Sequence, residues 1–126
     1  MDRIKLESKK DEAKGPLASK LRQRKFELST RFGIPDDLLP GSLSMSHSRC
    51  GKESCHCLTG DGHPVWALTF MVDGKKRVER IPEEWVKDVG RRVKAGREFK
   101  EAVAEVFAAN AQLLALWRRQ TRGRGR

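Results

Sequence analysis

No stretch of this sequence approaches the roughly 18 consecutive apolar residues that a membrane-spanning helix needs. Its first ten residues, MDRIKLESKK, lack the apolar centre of a secretory leader. Cysteine is scarce too. There are three in the whole chain, all within residues 50–57, whereas a disulfide scaffold spreads an even number through the fold. These absences predict a protein of a reducing cytoplasm. The short motifs of several enzyme classes are also missing. There is no Gly-rich phosphate loop ahead of Lys-Ser/Thr, no HExxH and no GxSxG, and none of the His-x-Glu and Pro-Cys-x-x-Cys elements of a zinc deaminase. Glu53, Asp61 and Asp73, the acids nearest the cysteines, read as solvated loop residues. No internal repeat is present, and the chain is expected to be non-enzymatic.

What is there is mostly charge. Of 126 residues, 37% are hydrophobic and 35% charged, which predicts one small domain with a modest core that a metal staple would help to hold. Lys plus Arg number 27 against 17 Asp plus Glu, a formal net charge of +10. That balance favours polyanions. Charge alone does not separate phosphate backbones from acidic protein surfaces or anionic lipid. With no membrane element visible, DNA or RNA is the expected partner.

Residues 1–16 carry almost nothing to bury and read as a basic flexible arm. Residues 17–32 form a helical pattern, with Leu17, Leu21, Leu28 and Phe32 near one stripe and Lys20, Arg22, Arg24, Lys25 and Arg31 around it. This predicts a solvated amphipathic helix packed on the domain, stopped by Gly33 and Pro35. SLSMSHS, residues 42–48, alternates strictly, so a half-buried strand should turn Leu43, Met45 and His47 inward. A second strand, VWALTFMV, follows Pro64, and Asp73-Gly74 predicts a tight hairpin returning through KKRVERI. Pro82-Glu83-Glu84 opens a helix. A helical pattern then runs from Trp85 to Arg119, as one long helix or as two hinged near Gly96. The fold class is therefore α+β: a small three-stranded antiparallel sheet with a zinc-binding loop, an N-terminal helix and a long C-terminal helix. Residues 17–119 make the single domain, and 120–126 an Arg/Gly tail.

Between the first two strands lies RCGKESCHCLTGDGH, residues 49–63. Cys50, Cys55, Cys57 and His63 are spaced C-x4-C-x-C-x5-H, and three thiolates with one imidazole are an ordinary donor set for a tetrahedral structural Zn²⁺. Arg49 and Lys52 would offset the excess thiolate charge. Four protein ligands leave no open position for substrate, so one structural zinc per chain is expected. For the fourth ligand the order is His63, then His47, then His56, because His56 is crowded between two thiolates. A redox pair at Cys55 and Cys57 is the weaker alternative.

The run from Gly41 to Val89 resembles a family of small prokaryotic zinc-knuckle-like proteins of unknown function. The resemblance rests on Arg49, Cys50, Gly51, Lys52, Cys55, Cys57, His63, Pro64, Gly74, Lys75 and Pro82, and extends over about residues 40–118. It departs after His63, where Val65-Trp66 stands in place of the family's aromatic pair. The resemblance implies a zinc-binding, helix-extended module and a gene often placed beside transposases or other mobile elements; it brings no activity.

The expected function is a zinc-stabilised nucleic-acid-binding accessory protein, assisting a larger enzyme such as a transposase or an RNA-guided nuclease. Phosphate contacts are expected from Arg22, Arg24, Lys25, Lys75, Lys76, Arg77, Arg80, Arg118, Arg119, Arg122, Arg124 and Arg126. The C-terminal helix is longer than a small sheet can cover, so its stripe of Phe99, Val103, Val106, Phe107, Asn110, Leu113, Leu114 and Trp117 is expected to be a homodimer interface. The alternative is a protein–protein adaptor that docks an acidic partner, with Phe107 and Trp117 as anchors.

Overall fold

A computed structural model describes residues 13–48 and 62–124. Helix α1 spans Pro16–Phe32, strands β1, β2 and β3 span Ser42–Ser48, His63–Val72 and Lys75–Ile81, and helix α2 spans Val86–Arg124 after a single 3-10 turn at Glu83–Trp85. The strands form one antiparallel sheet in the order β1-β2-β3. The α+β architecture read from the sequence is the one observed. Among the described residues, no helix is long and apolar enough to cross a membrane.

Local chemistry accounts for the boundaries. Pro16 occupies the first turn of α1, and Gly33 ends it in the left-handed conformation at φ 65°. Asp73 and Gly74 both have positive φ, 52° and 78°, as a two-residue hairpin turn between twisted strands requires. The register they set places Leu68 opposite Leu43 on one side and Glu79 on the other, with Trp66 opposite Ile81. One sheet face therefore carries Leu43, Trp66, Leu68, Phe70 and Ile81. Helix α2 lies on this face, and Leu68, Ile81, Val89 and Val93 are buried, with Leu39, Leu43, Trp66, Phe70, Trp85 and Val86 packed around them. Leu43 sits against Gly90 of the helix.

Three expectations change on contact with this geometry. Met45 is 45% exposed and His47 is exposed as well, because α2 covers β1 only near Leu43. Helix α1 has no buried residue. Leu17, Leu21 and Phe32 stay exposed, since α2 already occupies the apolar sheet face; the second half of α1 is tied to the segment after it by Lys25 Nζ to Asp36 Oδ1 at 2.9 Å and by Leu28 beside Ile34 and Leu38. The C-terminal helix is unbroken for 39 residues, about 58 Å at 1.5 Å per residue. It continues past Arg119, so most of the segment read as a tail is helical, and Thr121 Oγ1 donates to the Trp117 carbonyl at 3.0 Å.

Gly96 is not a hinge. It is the point where the segment ahead of β1 crosses α2, with the Leu39 carbonyl directly over the helix backbone. Hydrogen bonds and an ion pair hold that crossing. The Leu39 N–H donates to the Arg92 carbonyl at 3.2 Å, Arg92 Nε donates to the Asp37 carbonyl at 2.7 Å, and Arg91 Nη2 bridges Asp88 Oδ1 at 2.8 Å and Asp37 Oδ2 at 3.3 Å.

Candidate functional site

The two ends of the cysteine loop are brought together by the sheet. Ser48, the last residue of β1, pairs with His63, the first of β2, so the described residues that flank the cysteine segment meet at one point. Gly62 has φ 92°, and a β-carbon there would lie 3.0 Å from the Ser48 backbone. His63 thus stands at the mouth of the loop. His47 pairs with Pro64, one step along, and strand alternation puts it on the opposite sheet face from His63. Cys50, Cys55, Cys57 and His56 lie outside the described residues. Among the described residues no three His, Cys, Asp or Glu side chains gather into a metal-sized group.

The sheet face away from α2 has a distinct composition. Ser42, Ser44, Ser46 and Ser48 line β1, Val65, Ala67, Thr69 and Met71 line β2 beyond His63, and Lys76, Val78 and Arg80 line β3. The serines, Lys76 and Arg80 are exposed, as are Met71 at 59% and Val78 at 58%. One register row reads Ser44, Ala67, Arg80, and the next reads Ser42, Thr69, Val78. With strands about 4.8 Å apart, Ser44 and Arg80 are about 10 Å apart across a small alanine.

The basic strand divides between the two faces. Lys76 and Arg80 belong to the serine face. Lys75 and Arg77 alternate onto the α2 side, where Glu79 accompanies them. The described residues contain no ion pair to any of these four cations. Those of α1 differ: Arg22 donates to the Ala13 carbonyl at 2.7 Å, Arg24 pairs with Glu27 at 3.2 Å and Lys25 with Asp36. Their charge is partly spent within the chain. Arg118, Arg119 and Arg122 are exposed at the far end of α2. The backbone of Arg124 closes the helix, and Arg126 lies outside the described residues.

On α2 the expected interface residues fall into two groups. Phe99 and Val103 are half-buried where the helix leaves the sheet. Val106, Phe107, Asn110, Leu113, Leu114 and Trp117 are all exposed.

Two features escape a reading of the sequence. The serines of β1 register there only as the polar half of an alternating strand, and their alignment with Thr69 and Arg80 needs the pairing of the strands. The Asp37–Arg91–Asp88 clamp joins residues 54 positions apart in sequence, with Asp88 2% exposed. Asp88 and then Asp37 hold the Arg91 guanidinium still more firmly protonated than usual. The only local signal is an acid three residues before an arginine at a helix start.

Residues 14–91 match a family described as a domain of unknown function, DUF6788. The match takes in α1, which the sequence resemblance left out, and ends at the first turns of α2, leaving the exposed stripe beyond it. No curated protein and no solved structure matches the chain.

Proposed function

The chain belongs to this family of unknown function, which brings no activity with it, and we propose from its own surfaces that it is a non-enzymatic, zinc-stabilised nucleic-acid-binding accessory protein. One observation carries the reading: a sheet face left open by α2 combines a row of serine hydroxyls with Lys76 and Arg80, neither of them neutralised by an acid among the described residues. Phosphate oxygens take hydrogen bonds from both kinds of group, and such contacts give affinity and position without sequence readout. The net charge of +10 supplies long-range attraction to the same ligand. Met71 and Val78, exposed on this face, offer apolar surface against which a sugar or base can lie.

Cys50, Cys55, Cys57 and His63 would hold one structural zinc. The donor set suits that ion, and the Ser48–His63 pairing delivers the histidine to the mouth of the loop. The ion would stiffen the end of the sheet beside the serine row. Helix α2 would join two copies, and the accessory role would be to present nucleic acid to a larger enzyme such as a transposase or RNA-guided nuclease.

Fluorescence anisotropy with labelled single-stranded DNA, duplex DNA and RNA of equal length, across a salt series, tests the reading. Affinity should fall steeply with salt for at least one of them. Absence of binding to all three at low salt, or binding indifferent to salt, overturns it.

A further inference from the structure

From Ala104 to Gln120 every residue of α2 is exposed. An isolated helix of that length has little stability of its own in water, since helices in proteins are held mainly by packing an apolar face. Here the face exists and no described residue covers it: Val106 is 57% exposed, Phe107 68%, Leu113 62%, Leu114 67% and Trp117 59%. We propose that the cover is α2 of a second copy, lying antiparallel, with the two-fold axis passing at Asn110. The pairing rests on the dimer reading above and gives it an orientation and a register.

Three observations select this arrangement. The first is charge. Glu98, Glu101 and Glu105 lie before the exposed stripe, tempered by Arg97 and Lys100. Arg118, Arg119 and Arg122 lie after it, and residues 106–117 carry no charge at all. Parallel pairing gathers six guanidinium groups at one end, within a Debye length of about 8–10 Å of one another. Antiparallel pairing about Asn110 sets Arg119 level with Glu101 and Arg122 level with Glu98.

The second observation is size. Reflection about residue 110 brings Trp117 to Val103, Leu114 to Val106 and Leu113 to Phe107. Large side chains meet smaller ones along the length, which spaces the helices evenly. Parallel pairing would stack Trp117 on Trp117 and leave Val103 facing Val103.

The third is Asn110, the one amide in the centre of the stripe. On the axis it meets its own copy, and two amides can exchange hydrogen bonds there. A shift by one heptad would set each against apolar side chains, at a cost that fixes the register. The domains then sit at opposite ends, with Val89 about 32 Å along the helix from the axis in each copy. The two serine faces are carried at the ends of a rod.

Sedimentation and cysteine cross-linking of the full-length protein, freed of nucleic acid, test this. The expected mass is that of two chains. An equimolar mixture of Val103→Cys and Trp117→Cys proteins should give a 103–117 disulfide on mild oxidation, identified by peptide mapping apart from anything formed by the loop cysteines. Each variant alone should not link 103 to 103 or 117 to 117, because those pairs are about 21 Å apart along the rod and a disulfide requires Cα atoms within about 7 Å. Val106→Cys with Leu114→Cys gives the same test with Trp117 intact. A 103–103 link, a dimer that forms neither mixed link, or a single-chain mass at every concentration overturns the pairing. A dimer that binds no nucleic acid leaves the pairing standing and removes the nucleic-acid reading; a monomer that binds nucleic acid does the reverse.

Discussion

Gly96 passes beneath the Leu39 carbonyl so closely that a β-carbon at position 96 would collide with the carbonyl oxygen. Alanine in place of a helical glycine ordinarily stabilises by about 1 kcal/mol. At Gly96 the obstacle is backbone, held by the Leu39–Arg92 and Arg92–Asp37 hydrogen bonds, so it cannot swing aside as a flexible side chain would. Overpacking of this kind costs about 1–3 kcal/mol and should outweigh the gain in helix propensity. Gly90 is the internal control. A β-carbon there would meet Leu43 Cδ2 at 3.6 Å, ordinary contact, so Gly90→Ala should be neutral or stabilising by up to about 1 kcal/mol. Urea denaturation of both variants checks the pair, and equal effects of the same sign would show that Leu39 does not bear on the helix.

The clamp around Arg91 makes a second, independent prediction. Asp88 is 2% exposed, its Oδ1 accepts from Arg91, and its Oδ2 has no partner among the described residues. Arg91→Ala removes the bridging cation and leaves a buried carboxylate with neither oxygen served by it. A buried polar group left unmatched costs more than the net worth of the bond that served it. Arg91→Ala should therefore lower the denaturation midpoint, and Asp88→Ala added to it should recover part of the loss. A double variant less stable than Arg91→Ala would mean that Asp88 contributes through the helix N-terminus rather than through Arg91.

How much of this is legible in the sequence depends on distance along the chain. The strands, the Asp73-Gly74 hairpin and the long helix are readable because alternation, turn chemistry and 3.6-residue periodicity are local. That Leu43 is half-buried and Met45 exposed is not readable, because both obey the same alternation and the difference lies in where α2 crosses. The same limit applies to α1: an amphipathic stripe shows a capacity to pack, while a competing helix decides whether any surface remains. In the sequence Gly96 leaves one long helix and two hinged helices equally open, because a glycine lowers helix propensity; its reason is a backbone 57 positions earlier. For the candidate site, the alternation of KKRVERI is visible, but assigning Lys76 and Arg80 to the serine face requires the register with Thr69 and Ala67.

That register predicts unequal roles for neighbouring cations. Replacing Lys76 and Arg80 together by alanine should weaken nucleic-acid binding and lower the slope of log affinity against log salt by about 1.4–1.8, the release of two counterions. Replacing Lys75 and Arg77, which share their face with Glu79, should change both quantities less. The pairs are equal in charge removed, so binding through net charge alone would give identical losses. Anisotropy titrations at several salt concentrations separate the two outcomes.

The proposed zinc site predicts where its removal is felt. The loop closes between Ser48 and His63, and Leu68 of the core is five residues along β2, about 17 Å away at 3.4 Å per residue. A strong chelator should therefore raise amide exchange first at Ser46–Ser48 and His63–Val65, while Leu68 and the Val89–Val93 turn of α2 keep their protection. Metal analysis should find one zinc per chain. Cys50→Ser, Cys55→Ser and Cys57→Ser should each reduce it, and so should His63→Ala. His47→Ala should not, because β1 turns that side chain to the other sheet face. Zinc lost with His47 and retained without His63 would exchange the two histidines, and the loop would then have to fold across the end of the sheet toward α2. Full zinc retention in all three cysteine variants would leave the thiols without a metal role, and the redox pair at Cys55 and Cys57 would be the reading to pursue.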